Sequence, residues 1–203
     1  MLTSLQAAGS GEPVKVFREH PILFSAPMIQ AIRAKRKRMT RRIAGPRYAK
    51  WAVGDRIWVK ETYEHRAYGA INDIELRYVA DGETDYMMVF DADRKYRTDQ
   101  WKRKPSIFMP RWASRITLEI TAKHDELLQD ITEEDAQAEG IADGGCLLCG
   151  ESSWPKPCCC GDNGTPSYRD AFCSLWDSLN AKRGYGWHVN PTVTVIEFAE
   201  VIQ

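Results

Sequence analysis

Residues 56–63 (RIWVKETY) set Ile57, Val59 and Glu61 against Trp58, Lys60 and Thr62 in strict alternation. Apolar side chains occur on both sides of it, which suits a barrel strand better than a half-exposed edge. Val53-Gly54-Asp55 reads as the turn leading in. Residues 74–80 and 85–90 flank Asp81-Gly82, a pair expected to turn a hairpin. Residues 21–26 (PILFSA) and 107–110 are short runs of strand character, and 114–122 (SRITLEITA) places Ile116, Leu118 and Ile120 on one face. Residues 192–202 (TVTVIEFAEVI) form a β-branched closing strand.

Helical spacing appears in three places. Pro27 opens a helix that Ser25 can cap, with Met28, Ile29 and Ile32 as its apolar face. It is expected to run out into a basic segment ended by Gly45-Pro46. Thr132 and Asp135 resemble a capping arrangement for a short helix to Glu139, stopped by Gly140. A longer helix begins near Thr165-Pro166 and aligns Tyr168, Phe172, Leu175, Trp176 and Leu179. Strands outnumber helices and are bracketed by them, so the fold class expected is α+β: a small barrel with helical decoration. Residues 1–19 read as a polar extension, 20–203 as one domain, 91–105 as a surface connection and 143–165 as an insertion without periodicity.

The chain has 203 residues with seven Trp, eight Tyr and six Phe, enough large side chains for a core of its own. No apolar run approaches the roughly 20 residues that span a bilayer, and the start lacks the pattern of a signal peptide. A soluble cytoplasmic protein with no membrane partner is expected. The formal charge of zero hides an asymmetry: residues 33–50 hold nine Lys or Arg and no acid, and 125–139 hold seven acids and no base. A basic run this free of acids reads as a phosphate-contacting patch, and its bland alternative is a solvated face paired with the acidic segment.

Five of the six cysteines fall within fifteen residues. A C-x-x-C pair and a C-x-C pair across a short Pro-containing loop can set four thiolates around one tetrahedral Zn²⁺. Cys146, Cys149, Cys158 and Cys160 are the expected ligands, with Cys159 the spare. A closed four-thiolate shell is structural zinc, since no position stays open for catalysis. Disulfides and an iron–sulfur cluster are the alternatives, and Cys173 fits a packed thiol within a helix.

The blocks APMIQAIRAKRKRMTRR, VGDRIWVKETY, LLQDITEEDAQAEGI, LWDSLN and the terminal TVIEF strand, in that order and spacing, resemble the ASCH superfamily. The likeness is greatest to the ASCH-domain proteins of tailed bacteriophages and prophages, and spans roughly residues 21–198 apart from the cysteine insertion and the 91–105 connection. It implies a PUA-like β-barrel with a helix-flanked cleft and an association with RNA. One small branch of that superfamily is an amidohydrolase that deacetylates 4-N-acetylcytidine with a Lys, a Thr and a Glu. The corresponding residues here are Lys37, Thr40 and Glu139.

The residue types suit that chemistry. Lys37 lies between Arg36 and Arg38, whose charges would depress its pKa and make it a better base. Thr40 is a nucleophile to be activated, Glu139 a proton shuttle, and Arg41 or Arg42 a stabiliser of an oxyanion or phosphate. Two departures stand out: Lys35 occupies a usual Gly, which argues for loss of a special loop conformation, and Arg38 replaces a small residue. Lys35, Arg36, Arg38, Arg41 and Arg42 are expected to contact nucleic acid, RNA before DNA, with Trp58 and Glu61 lining the cleft. Glu61 has Arg56 or Lys60 as its ordinary partner, and Tyr63, Trp112 and Trp187 are further stacking surfaces unless they are core. His65, His124 and His188 are too scattered for a metal site. The functions expected are nucleic-acid or nucleobase binding with structural zinc first, amide hydrolysis on a modified nucleobase second, and a protein-interaction role third.

Overall fold

The computed structural model describes residues 17–68, 73–88, 100–141 and 167–201. The elements are β1 (Glu19–Leu23), α1 (Ala26–Arg33), β2 (Met39–Ile43), α2 (Pro46–Ala49), β3 (Arg56–Lys60), β4 (Tyr63–Tyr68), β5 (Asp73–Tyr78), β6 (Thr84–Met88), β7 (Lys102–Lys104), β8 (Thr117–Leu127), α3 (Glu133–Ala138), α4 (Tyr168–Asn180) and β9 (Thr192–Glu200). They form an α+β fold of two sheets, one ordered β1-β3-β8-β9-β2 and one ordered β6-β5-β4-β7, decorated by short helices. Among the described residues only β1 and β3 pair in parallel, and every other pairing is antiparallel.

The alternation read along β3 sets the first core. Ile57 and Val59 face inward, where they meet Ile22, Phe24, Leu118, Ile120, Ile196 and Phe198. Ile29 and Ile32 of α1 close over the same cluster. Its edge strand β1 carries Pro21, which has no N–H to offer a further strand. The guanidinium of Arg47 donates to the Pro21 carbonyl at 2.9 Å and that of Arg42, from the opposite edge strand β2, to the Leu23 carbonyl at 3.0 Å. Arg42 therefore ties the two edges of the sheet together and occupies acceptors that would otherwise template aggregation.

The second sheet packs Tyr63, Ile74, Leu76 and Tyr78 against Met109 and Ala113. Asp81-Gly82 does turn the β5–β6 hairpin, with Gly82 at φ +76°. Residues 107–110, expected as a strand, instead end one 3₁₀ turn, Ser106–Phe108, and link it to a second, Arg111–Ala113. Pro105 and Pro110 stand at the start of each turn, where a residue with no N–H and a fixed φ is cheap. Only Met109 of that run is buried, and Ile107 and Phe108 are 61% and 66% exposed.

A third cluster joins α3 and α4 to the sheet through Leu128, Ile131, Ala136, Phe172, Trp176 and Val193. Leu179, expected on the apolar face of α4, is 50% exposed because it lies in the last turn of the helix, beyond this cluster. The expected Thr132 cap forms, accepting from the Asp135 amide at 3.1 Å, and Ser167 caps α4, accepting from the Asp170 amide at 3.0 Å. Ser25, expected to cap α1, makes no side-chain cap bond. Strand β8 is longer than its sequence suggests, continuing past a bulge between Ile120 and Ala122 through the polar residues 123–126 to Leu127. The polar extension expected over 1–19 lies outside the described residues as far as position 16, whereas Arg18 and Glu19 join the sheet. Among the described residues no helix is long and apolar enough to cross a membrane.

Candidate functional site

The basic segment folds as a turn and a strand. Helix α1 stops at Arg33, and Lys35 adopts the left-handed conformation at φ +58°. The amide of Lys35 then donates to the Ile32 carbonyl and that of Arg36 to the Ala31 carbonyl, the two bonds of a Schellman ending. The loop conformation that a lysine in place of glycine was expected to destroy is therefore kept. The helix does run out into the basic segment: Arg36, Lys37 and Arg38 continue the turn, and only Arg41 and Arg42 belong to β2, a strand where a loop was expected. The strand's alternation sends Thr40 and Arg42 to one face and Arg41 to the other.

The turn directs Lys37 inward, and it is 2% exposed. Its ammonium donates to the Met39 carbonyl at 2.8 Å, the Glu139 carbonyl at 2.8 Å and Glu139 Oε2 at 2.6 Å. All three ammonium hydrogens are used. Glu139 is held there by the end of α3, whose C-cap it forms, followed by Gly140 at φ +94°. A Cβ on Gly140 would sit 2.8 Å from Lys37 Cβ and 2.9 Å from Ala31 Cβ. The glycine thus serves both the turn and the close approach of the two segments. The Arg38 amide donates to the Ala138 carbonyl at 2.8 Å, and Arg36 reaches the Gly140 carbonyl at 3.0 Å, stitching the same seam.

On one face of β2 the Thr40 side chain is buried opposite Ile196 and makes no side-chain hydrogen bond among the described residues. Arg42 and Lys37 both lie against the Phe24 ring, at 5.3 and 5.4 Å from its centroid. On the other face the Arg41 side chain is 0% exposed and donates to Glu126 Oε1 and Asp135 Oδ2, each at 2.7 Å. Its third nitrogen stands 3.6 Å from Glu139 Oε1. Two buried polar atoms in this group have no hydrogen-bond partner: Glu139 Oε1, an acceptor, and Arg42 Nε, a donor. Burial of that kind is costly unless something else satisfies it.

Burial is the main cause that lowers the Lys37 pKa from its ordinary value, and the Glu139 carboxylate opposes it. The neighbouring charges that add to the lowering are Arg42 and Arg41, not the adjacent Arg36 and Arg38. Those two side chains, like that of Lys35, are exposed. No family model, no curated protein and no solved structure matches the chain.

Of the remaining expected residues, Glu61 is buried, but its partner is Arg115, which donates to both carboxylate oxygens at 2.9 Å, rather than Arg56 or Lys60. Arg115 also binds Asp81 at 2.8 Å and Glu83 at 2.6 Å, so Glu61 belongs to a network fixing the β5–β6 turn. Trp58 is half-buried on the outer face of β3 with the Lys60 ammonium 5.4 Å from its ring. Tyr63 is core, and Trp112 and Trp187 are half-buried against apolar clusters. His65 is buried, whereas His124 and His188 are exposed. Cys146, Cys149, Cys158 and Cys160 lie outside the described residues, among which no group of His, Cys, Asp and Glu could hold a metal ion.

For Arg41 the alternative reading holds, since it is buried on Glu126 and Asp135 of the acidic segment rather than open to phosphate. Sequence reasoning did not single out those two acids as its partners, nor Phe24 as the surface beneath Lys37 and Arg42. The signal was present in the charge asymmetry: the acid-free basic run and the base-free acidic run are the two sides of this seam.

Proposed function

We propose that the chain is an ASCH-type protein with a PUA-like barrel whose Lys37–Glu139 site takes up a nucleobase and hydrolyses an N-acyl group on it, 4-N-acetylcytidine being the model substrate. The observation that carries this reading is that the buried group containing Lys37 and Thr40 also holds an acceptor, Glu139 Oε1, and a donor, Arg42 Nε, that accept or donate no hydrogen bond. A buried donor and a buried acceptor that the protein leaves without hydrogen bonds are what the edge of an amide or a nucleobase satisfies.

The chemistry follows from the contacts. Burial favours the neutral amine of Lys37, which accepts the hydroxyl proton of Thr40 as its oxygen attacks the acyl carbon. The proton crosses the 2.6 Å bond to Glu139 and passes to the nitrogen as the C–N bond breaks, freeing the amine. Water then hydrolyses the threonyl ester, returning the hydroxyl and releasing the carboxylate. Arg42 Nε is the donor available to the developing oxyanion. Release of cytidine and acetate from 4-N-acetylcytidine, followed chromatographically, is expected to be slow but measurable and to vanish in Lys37→Ala and Glu139→Gln. No turnover across a panel of N-acylated nucleosides would overturn the proposal.

A second reading, binding of RNA without chemistry, is favoured by the exposure of Lys35, Arg36 and Arg38 at the rim of the same site. It predicts salt-sensitive affinity that survives Glu139→Gln. On either reading the cysteine insertion holds one structural Zn²⁺ through Cys146, Cys149, Cys158 and Cys160, a proposal supported by their spacing.

A further inference from the structure

Outside the site, cations and aromatic rings alternate along one border of the first sheet. The register of β1 against β3 places Glu19, Pro21 and Leu23 on the same face as Arg56, Trp58 and Lys60. Four cation–ring pairs follow this border: Arg42 on Phe24 at 5.3 Å, Arg47 on Tyr48 at 5.7 Å, Lys60 on Trp58 at 5.4 Å and Arg56 on Phe17 at 3.8 Å. Among the described residues none of these four cations forms an ion pair with a carboxylate. Arg42 and Arg47 use donors on the carbonyls of β1 and keep other N–H groups in hand.

Beside them the first 3₁₀ turn is pinned by the Lys60 ammonium on the Ile107 carbonyl, with the Ile107 and Phe108 side chains largely exposed. The acids on the face are Glu19, held in two bonds by Arg111, and Glu119, opposite Arg56. Charge is therefore in excess on the positive side, with rings interleaved. An acidic polymer with flat apolar faces complements that pattern, which is the chemistry of an unpaired nucleic-acid strand.

We infer that the β1 edge and the outer face of β3 form a track for single-stranded nucleic acid, with Arg42, Arg47, Arg56 and Lys60 on phosphates and Phe108 under a base. Arg42 belongs both to the track and to the Lys37–Glu139 group, so the track leads into the site. The substrate is then a base within a strand rather than a free nucleoside. This last step rests on the function proposed above; the track itself does not.

The test uses the full chain and a fluorescently labelled, unmodified single-stranded RNA of about twelve nucleotides, within the range one small domain covers. Anisotropy titrations at several salt concentrations should give a log–log slope of roughly −2 to −3, since each phosphate contact contributes about −0.7. Arg47→Glu and Lys60→Glu should each weaken binding by about fivefold or more at low salt and flatten that slope, while Phe108→Ala weakens binding without changing it. Arg47 and Phe108 are exposed, so their variants keep the fold, and thermal melting will check this for all three, Lys60 being half-buried and bonded to the Ile107 carbonyl. A slope near zero, wild-type affinity in all three variants, or displacement of the RNA by polyglutamate as readily as by unlabelled RNA would overturn the track. Arg47→Glu should slow turnover of an acetylcytidine within an oligonucleotide by a larger factor than turnover of the free 4-N-acetylcytidine. RNA binding without any turnover would leave the track standing and remove the hydrolase.

Discussion

Lys37 is the residue on which the site turns, and its burial has a consequence for stability. Its pKa is held below the ordinary 10.5 because the charged form is taken out of water. Between that lowered value and 10.5 the folded chain binds fewer protons than the unfolded chain, so stability rises with pH across this window. Below the window both states are protonated and the folded state carries the whole cost of the buried charge. Urea midpoints measured toward pH 10 should therefore move in favour of wild type relative to Lys37→Met. A wild type that gains nothing on Lys37→Met as the pH rises would show that Lys37 is not desolvated. In the hydrolase the same proton must be lost before Thr40 is activated, so the acidic limb of kcat/KM should belong to Lys37.

At the scale of elements, the site depends on how closely α1 and α3 approach. Gly140 was legible in the sequence as a helix stop, but nothing local announced that Lys37 and Ala31 press on the space where its side chain would be. Gly140→Ala adds a methyl at under 3 Å from both and strains φ +94°, which should cost about 2 kcal/mol or more and break the Lys37–Glu139 pair. Equilibrium unfolding checks the first effect, and loss of turnover with a retained fold the second; a variant as stable and active as wild type would contradict it. Elements defined by local signals were readable: the Asp81-Gly82 hairpin, the Thr132 cap and the alternation of β3. Those set by tertiary context were not. Strand β2 hid behind its arginines, which β-propensity disfavours little when one is buried on two carboxylates and another lies against a ring. The 3₁₀ turns at 106–113 hid because their apolar residues mimic a strand while only Met109 and Ala113 are buried.

Across the whole molecule, the pairing of residues 37 and 139 joins positions 102 apart, a distance no periodicity reports. Only the resemblance nominated the pair, although the opposed charge runs foreshadowed that the segments meet. The same scale decides what the cysteine insertion contributes. It connects Ile141, two residues past Glu139, to Ser167, which caps α4. The first amides of α4, those of Tyr168 and Arg169, donate to Glu133 on α3, so the two helices at the insertion's ends are already docked. A long connection between docked ends costs closure entropy, and a metal clip within it recovers part of that cost. The purified chain should contain one zinc per molecule by elemental analysis. Chelation should lower its melting temperature and speed hydrogen exchange in α4 before the sheet. Cys149→Ser should reproduce both effects, whereas Cys173→Ser, at a half-buried position on α4, should leave the zinc content unchanged. A zinc-free chain, or one indifferent to chelation, would mean that the insertion is held together by other means and that α3 and Glu139 are placed by the α3–α4 contacts alone.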